Sequence, residues 1–114
     1  SPCALGGVIN RSIRNQLKCK AIVGAANNQL DNSETGEWLL KNNIIYSPDY
    51  LVNSGGVIAI ASEINKTENF LGKQLEKIGE RLKIVLTESK KNNESTDSIS
   101  KRIAWERINC SKTN

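Results

Sequence analysis

The chain contains no histidine and no methionine, only two prolines, and five aromatic residues in 114. Each shortage excludes something. Without histidine, the commonest metal ligand and general base is missing. No cluster of Cys, Asp or Glu has ligand spacing either, so a metal site is not expected. With aromatics at 4%, the core must be built from Ile, Leu, Val and Ala. Cys3, Cys19 and Cys110 are odd in number and show no CxxC spacing, which points to reduced thiols in a cytoplasmic setting rather than a disulfide framework. No apolar run is long enough to cross a membrane, and no targeting segment is visible. The lack of methionine, with the abrupt opening Ser1-Pro2-Cys3-Ala4, suggests an incomplete chain.

The length fits at most one small domain. Mean hydropathy of −0.44 and 25% charged residues are ordinary for a globular chain. A net charge of +4 and a pI near 9.1 raise the question of nucleic acid. In the second half, however, Lys and Arg alternate with Asp and Glu, and no basic block is interleaved with aromatics. A solvated mixed-charge face is the better reading, and no nucleic-acid partner is expected.

Strand and helix signals alternate in the first half. Residues 4–9, broken by Gly6-Gly7, read as a turn leading into a short helical segment. Residues 10–17 carry Ile13 and Leu17 at helical spacing and predict a short surface helix. Ala21-Ile22-Val23, bounded by Gly24, fits a buried parallel strand that is apolar on both faces. Ser33 can cap a helix running to Lys41, which Asn42-Asn43 ends. Ile44-Ile45-Tyr46 is a second short strand, stopped by Pro48. The layout is βαβ-like.

The second half reads as helical. Residues 57–64 predict a mostly buried helix. Thr67 can cap a longer one striped by Leu71, Leu75, Ile78, Leu82 and Val85. Residues 90–94 are polar and read as a loop. Ser95 or Thr96 can cap a last helix carrying Ile99, Ile103 and Ile108.

Two amide clusters stand out. Asn27-Asn28-Gln29 follows the first strand, and Asn53 precedes Gly55-Gly56 after the second. Amide side chains donate and accept together, which suits a carboxamide ligand. The Gly pair allows a sharp turn and close approach. The plain alternative is that these asparagines are turn residues. Cys3 reads as a small buried residue rather than a nucleophile, and Asp49 as a turn cap beside Pro48 rather than a general base.

Four ordered runs carry a resemblance: Pro2-Cys3-Ala4-Leu5-Gly6-Gly7-Val8-Ile9-Asn10, Ile22-Val23-Gly24-Ala25-Ala26-Asn27-Asn28-Gln29-Leu30, Ile44-Ile45-Tyr46-Ser47-Pro48-Asp49-Tyr50 and Val52-Asn53-Ser54-Gly55-Gly56-Val57-Ile58. With the tail runs at residues 101–104 and 106–108, they cover nearly the whole chain. Together they resemble the Glu/Leu/Phe/Val amino-acid dehydrogenase family, closest to its leucine dehydrogenases. The resemblance implies an α/β fold: a partial Rossmann-like unit, the second half of a doubly wound parallel sheet, followed by C-terminal helices. Residues 1–66 would be the C-terminal half of the dinucleotide-binding domain and residues 67–114 a helical segment. It implies reversible oxidative deamination of an L-amino acid to a 2-oxo acid and ammonia, with NAD as cofactor. The family's catalytic Lys and Asp lie in a domain that this chain does not contain, and no GxGxxG occurs in it, so no catalytic residue is assigned and the fragment alone should be inactive.

By motif, the resemblance assigns cofactor contacts to Ala4, Leu5, Ala26, Asn27, Asn28 and Asn53. It assigns substrate contacts to Asn28, Val57 and Ile60, the last two walling the side-chain pocket. Such a wall favours branched aliphatic substrates, leucine above all. Phenylalanine or valine dehydrogenase is the near alternative, and a non-catalytic relic or assembly module the distant one. The family also implies a homo-oligomer, although half a sheet with an open edge would leave the isolated chain marginal or aggregating.

Overall fold

The β-branched pair Ile44-Ile45 and the run Ala21-Ile22 favour extended backbone, and they meet side by side in a computed structural model that describes residue 3, residues 5–65 and residues 68–111. Strand β1 (Ala21–Ile22) pairs in parallel with β2 (Ile45–Tyr46), with Ala21 opposite Ile45 and Ile22 opposite Tyr46. The ladder is closed by Ile45 N–H to the Lys20 carbonyl and Ser47 N–H to the Ile22 carbonyl, both 3.0 Å. A separate parallel bridge joins Ile9 to Leu30. Residues 4–9 therefore do not lead into a helix: after a turn at Gly7, with φ of +71°, the chain is extended at Ile9. The surface helix expected over residues 10–17 is reduced to turns and one 3-10 turn at Arg14–Gln16.

Helix α1 (Ser33–Lys41) connects the strands. Its N-cap is Asn32, one residue before the expected Ser33, and the Asn32 side chain accepts from Thr35 N–H at 3.1 Å. At its end Asn43 turns left-handed, φ +55°. Asn43 N–H then bonds the Leu40 carbonyl and Ile44 N–H the Leu39 carbonyl, the paired bonds of a Schellman closure. Ile9, Ile22, Leu39, Ile44 and Tyr46 form the core, flanked by Val8, Leu17, Leu30 and Trp38.

Along both strands burial alternates: Ile22 and Tyr46 point into the core, whereas Ala21, Val23 and Ile45 are exposed. The expectation of a strand covered on both faces fails because the helices cover one face only. The chain is thus α/β, mostly helical around a two-stranded parallel sheet.

After β2 come α2 (Asp49–Val52), α3 (Gly55–Ile64), α4 (Glu68–Asn92) and α5 (Thr96–Ser111). The expected cap Thr67, and the boundary between residues 66 and 67, lie outside the described residues. Helix α4 runs on to Asn92, so of the stretch 90–94 expected to be a loop only residues 93–94 lie outside a helix. Lys90 and Lys91 sit in its last turn, where cations are favourable to the helix dipole. Asn93, φ +52°, closes it, and Glu94 N–H bonds the Ser89 carbonyl at 3.1 Å. Ser95 Oγ accepts from Ser98 N–H at 3.3 Å and caps α5. Helix α3 lies against α4, and α5 against both α4 and α1. Helix α3 is not the buried helix its composition predicts: of its residues only Ser62 is buried, and Val57, Ile60 and Ile64 are 72%, 59% and 75% exposed. No helix among the described residues is long and apolar enough to cross a membrane.

Candidate functional site

The two amide clusters converge where the strands end. β1 delivers Asn27 and Asn28, and β2 delivers Asp49 and, one short helix later, Asn53. Parallel strands place their carboxyl ends on one side, where α/β folds collect ligands. Asn53, the C-cap of α2, donates from Nδ2 to Asn27 Oδ1 at 2.6 Å and to the Ala25 carbonyl at 3.4 Å. That amide–amide bond uses the donor of one side chain and the acceptor of the other. Its remaining groups are an acceptor, Asn53 Oδ1, and a donor, Asn27 Nδ2.

Asn28 is held through its backbone. It adopts left-handed φ of +52°, a conformation asparagine tolerates better than most residues. Its N–H donates to Asp49 Oδ2 at 2.6 Å, and its carbonyl accepts from Gly7 N–H at 2.7 Å. Gly6 lies so close that a Cβ there would stand 3.3 Å from the Asn28 Cβ and carbonyl oxygen. Below the loop, Gln29 is fully buried and donates from Nε2 to the Gly24 and Ala26 carbonyls at 2.8 and 3.0 Å.

The glycine demand therefore falls at Gly6 and Gly7. Gly55 and Gly56 form no sharp turn; they are the first residues of α3. A Cβ on Gly55 would meet Leu75 on α4 at 3.4 Å, and one on Gly56 would meet nothing within 4 Å.

Asp49 is not the turn cap its place beside Pro48 suggested: it is the first residue of α2, whose N-cap is Pro48 with no side-chain cap bond, and its carboxylate is engaged elsewhere. It is 6% exposed and accepts from Tyr46 Oη at 2.8 Å through Oδ1 while Oδ2 holds Asn28. Burial first, and then the Asp49 carboxylate, push the Tyr46 phenol well above its ordinary pKa, so it remains a neutral donor. The Tyr46 carbonyl in turn accepts from Thr96 Oγ1 at 2.7 Å, tying α5 to the same strand end. Tyr50 leans on Asp97 with contacts of 3.3 and 3.4 Å, and burial followed by the Asp97 charge raises its pKa too.

Of the expected contact residues, Asn27, Asn28 and Asn53 come together at this wall. Ala26 is buried beneath it, its carbonyl engaged by Gln29. Leu5 projects into solvent, and Ala4 lies outside the described residues. Val57 and Ile60 share one exposed face of α3 rather than a closed pocket. Cys3, expected to be buried, is exposed, as are Cys19 and Cys110, and the three form no disulfide. The structure adds Asp49, Tyr46, Gln29 and Thr96. The one signal for Asp49 is an acid three residues past a strand end, between Tyr46 and Tyr50.

Comparison with known proteins bears on the family. A family profile described as Glutamate/Leucine/Phenylalanine/Valine dehydrogenase matches residues 1–104. The chain is 40% identical over 114 residues to an L-tryptophan dehydrogenase of Nostoc punctiforme, covering 98% of this chain and 32% of that protein. It is 42% identical over 110 residues to a phenylalanine dehydrogenase of Thermoactinomyces intermedius, 95% of this chain and 30% of that one. Against a leucine dehydrogenase of Geobacillus stearothermophilus it is 39% identical over 109 residues, again 95% and 30%. The crystal structure of L-tryptophan dehydrogenase from Nostoc punctiforme superposes with a TM-score of 0.89 at 38% identity, covering 98% of this chain and 34% of that one. The chain thus spans about a third of the length of these relatives. The motif order, the convergent amides and these likenesses agree, and the chain belongs to the Glu/Leu/Phe/Val dehydrogenase family.

Proposed function

We propose that this chain forms the nicotinamide-side wall of an NAD-dependent amino-acid dehydrogenase, in which residues 1–66 complete a Rossmann-like domain and residues 67–114 a helical segment. The observation that carries the reading is the Asn53–Asn27 hydrogen bond at the carboxyl ends of the two strands. The acceptor and donor left on that pair match the amine and carbonyl of a carboxamide, and neither group is itself charged. NAD, when bound, would supply the hydride acceptor for oxidation of the amino acid at Cα. This chain's residues bind and orient: Asn27 and Asn53 fix the carboxamide, the backbone at Ala4 and Leu5 and the buried Ala26 back the ring, and Asn28 reaches both cofactor and substrate. Fixing two reactants at attack distance is where such a wall contributes to rate.

Val57 and Ile60 would line the substrate side-chain pocket, and their exposure is the state of a wall whose opposite side comes from elsewhere in the protein. Branched aliphatic L-amino acids, leucine first, suit that wall. An aromatic substrate is the second reading, supported by the similarity to tryptophan and phenylalanine dehydrogenases at 40–42% identity. A homo-oligomer in the cytoplasm is the proposed setting.

The test is NAD reduction by the intact gene product with leucine, valine, phenylalanine and tryptophan in turn. Activity on leucine or valine is expected to exceed that on the aromatic pair. Inverted preference replaces the first reading with the second, and no activity on any L-amino acid sinks both. Val57→Ala is expected to shift preference toward larger side chains by about tenfold, the order of one to two methylenes in an apolar pocket.

A further inference from the structure

We propose that Asp49 is a positioning residue: its carboxylate sets the left-handed backbone of Asn28, and so aims that side chain at its ligands. The inference rests on the site reading above and extends it to a residue that touches neither cofactor nor substrate. Four observations carry it.

First, the bond from Asn28 N–H to Asp49 Oδ2 is 2.6 Å, short for an N–H donor and in the range of a charge-assisted bond. Second, the carboxylate is itself immobilised. Its other oxygen takes the Tyr46 hydroxyl at 2.8 Å, and the residue is only 6% exposed. Tyr46 cannot drift, because its side chain belongs to the core and its carbonyl is held by Thr96 from α5. Third, Asn28 needs a clamp. A non-glycine residue at φ +52° is intrinsically unfavourable, and such residues persist where the surroundings over-determine them. Asp49 pulls from one side, while Gly7 N–H takes the carbonyl and Gly6 closes from the other. Fourth, the neighbouring Asn27 has its own lock in Asn53. The two adjacent asparagines are thus fixed by different residues, one through its side chain and one through its backbone, and Asp49 serves only the second.

Asp49→Asn offers an amide where two donors converge. Its oxygen is at best a neutral acceptor for Asn28 N–H, and its NH2 then faces the Tyr46 hydroxyl, which must turn round to accept and no longer anchors the group as it anchored the carboxylate. In the intact gene product kcat/KM for the amino acid is expected to fall about 10- to 100-fold, the cost of a small misplacement in a reacting complex. Tyr46→Phe keeps the carboxylate but removes one of its anchors, and the expected loss is about two- to tenfold.

Stability alone cannot produce two further results. In an Asn28→Ala background, adding Asp49→Asn should cost less than about twofold more, because the aimed side chain is already gone. Asp97→Asn is the control. It removes a carboxylate equally buried at 6%, bound to Lys101 at 2.6 Å, and should lower the melting temperature with kcat/KM changed by less than about twofold. Equal kinetic losses in Asp97→Asn and Asp49→Asn, or full additivity with Asn28→Ala, overturn the proposal.

The decisive reading independent of catalysis is the Asn28 backbone amide in selectively ¹⁵N-asparagine-labelled protein. Bonded to a carboxylate it should resonate downfield, and it should move upfield in Asp49→Asn and partway in Tyr46→Phe. If the protein oxidises no L-amino acid, the functional reading falls by its own test, and this resonance still decides the clamp. If Asp49→Asn does not accumulate folded, Tyr46→Phe carries the same two measurements. An Asn28 resonance unmoved in a folded variant refutes the inference.

Discussion

The sheet half of the molecule and the α3–α4 half solve opposite problems. Around β1 and β2 the chain buries polar groups and ties them down: Thr35 and Asp49 are buried and hydrogen-bonded, and buried Gln29 is bonded through Nε2 although its Oε1 has no partner. In α3 the apolar groups are the ones left out, with Val57, Ile60 and Ile64 facing solvent. Apolar surface left on one helix face is ordinarily covered by something. The contrast teaches that the covered face of the sheet carries its own specification, whereas α3, like the bare sheet face with Val23 and Ile45, is specified by what lies against it.

That contrast can be broken at several levels. Leu39→Ala, at a site with no exposure, should destabilise the chain by about 2–5 kcal/mol in a denaturant titration. A loss below about 1 kcal/mol would mean that the sheet half is not the true core. Alkaline pH should also act on the sheet half. Tyr46 and Tyr50 have raised pKa values in the fold, so the unfolded chain releases these protons first. Stability should be fully present below about pH 10 and fall as pH rises beyond it. Tyr46→Phe should flatten that fall, measured as the denaturant midpoint between pH 8 and 11.

Smaller effects sharpen the picture. Asn32→Ala removes the α1 cap and should cost about 1 kcal/mol. Lys101→Ala removes a partly exposed pair with Asp97 and should cost roughly 0.2–1 kcal/mol, less in high salt. Ile60→Ala should change the stability of the 114-residue chain by less than about 0.5 kcal/mol, yet alter amino-acid preference in the intact gene product. A large stability loss there would show that the face of α3 carrying Ile60, and not only the face against α4, already packs within this chain.

Much of the fold was legible because its signals are local. Ile44-Ile45 announces a strand, and Asn32, Ser33 and Asn42-Asn43 bracket α1. The cap fell one residue early because Asn32 and Ser33 are both good caps, and only the bond to Thr35 decides between them. The connection expected over 90–94 begins only at Asn93, because polar residues resemble a loop whereas lysines at a helix end are favourable. Exposure of α3 was illegible in principle, since hydrophobicity tells that a residue wants cover and not what supplies it.

The site divided along the same line. Asn27, Asn28 and Asn53 were readable as motif residues. Asp49 was not, because its importance lies in a partner 21 residues earlier in the chain. Gly6-Gly7 is legible as a turn, but not as the place where the Asn28 loop closes in, because no local pattern tells which glycine a neighbouring loop will press against.

The bond from Thr96 to the Tyr46 carbonyl has a kinetic meaning. It joins residues 50 apart, and the bonds of the amide wall span 21 to 28. Contacts of such reach must await closure of the intervening chain, whereas α1 and α4 need only their own neighbours. The wall is therefore among the last parts of this chain to take shape during folding. A nascent chain stalled before residue 96 would lack the tie that joins α5 to the strand end.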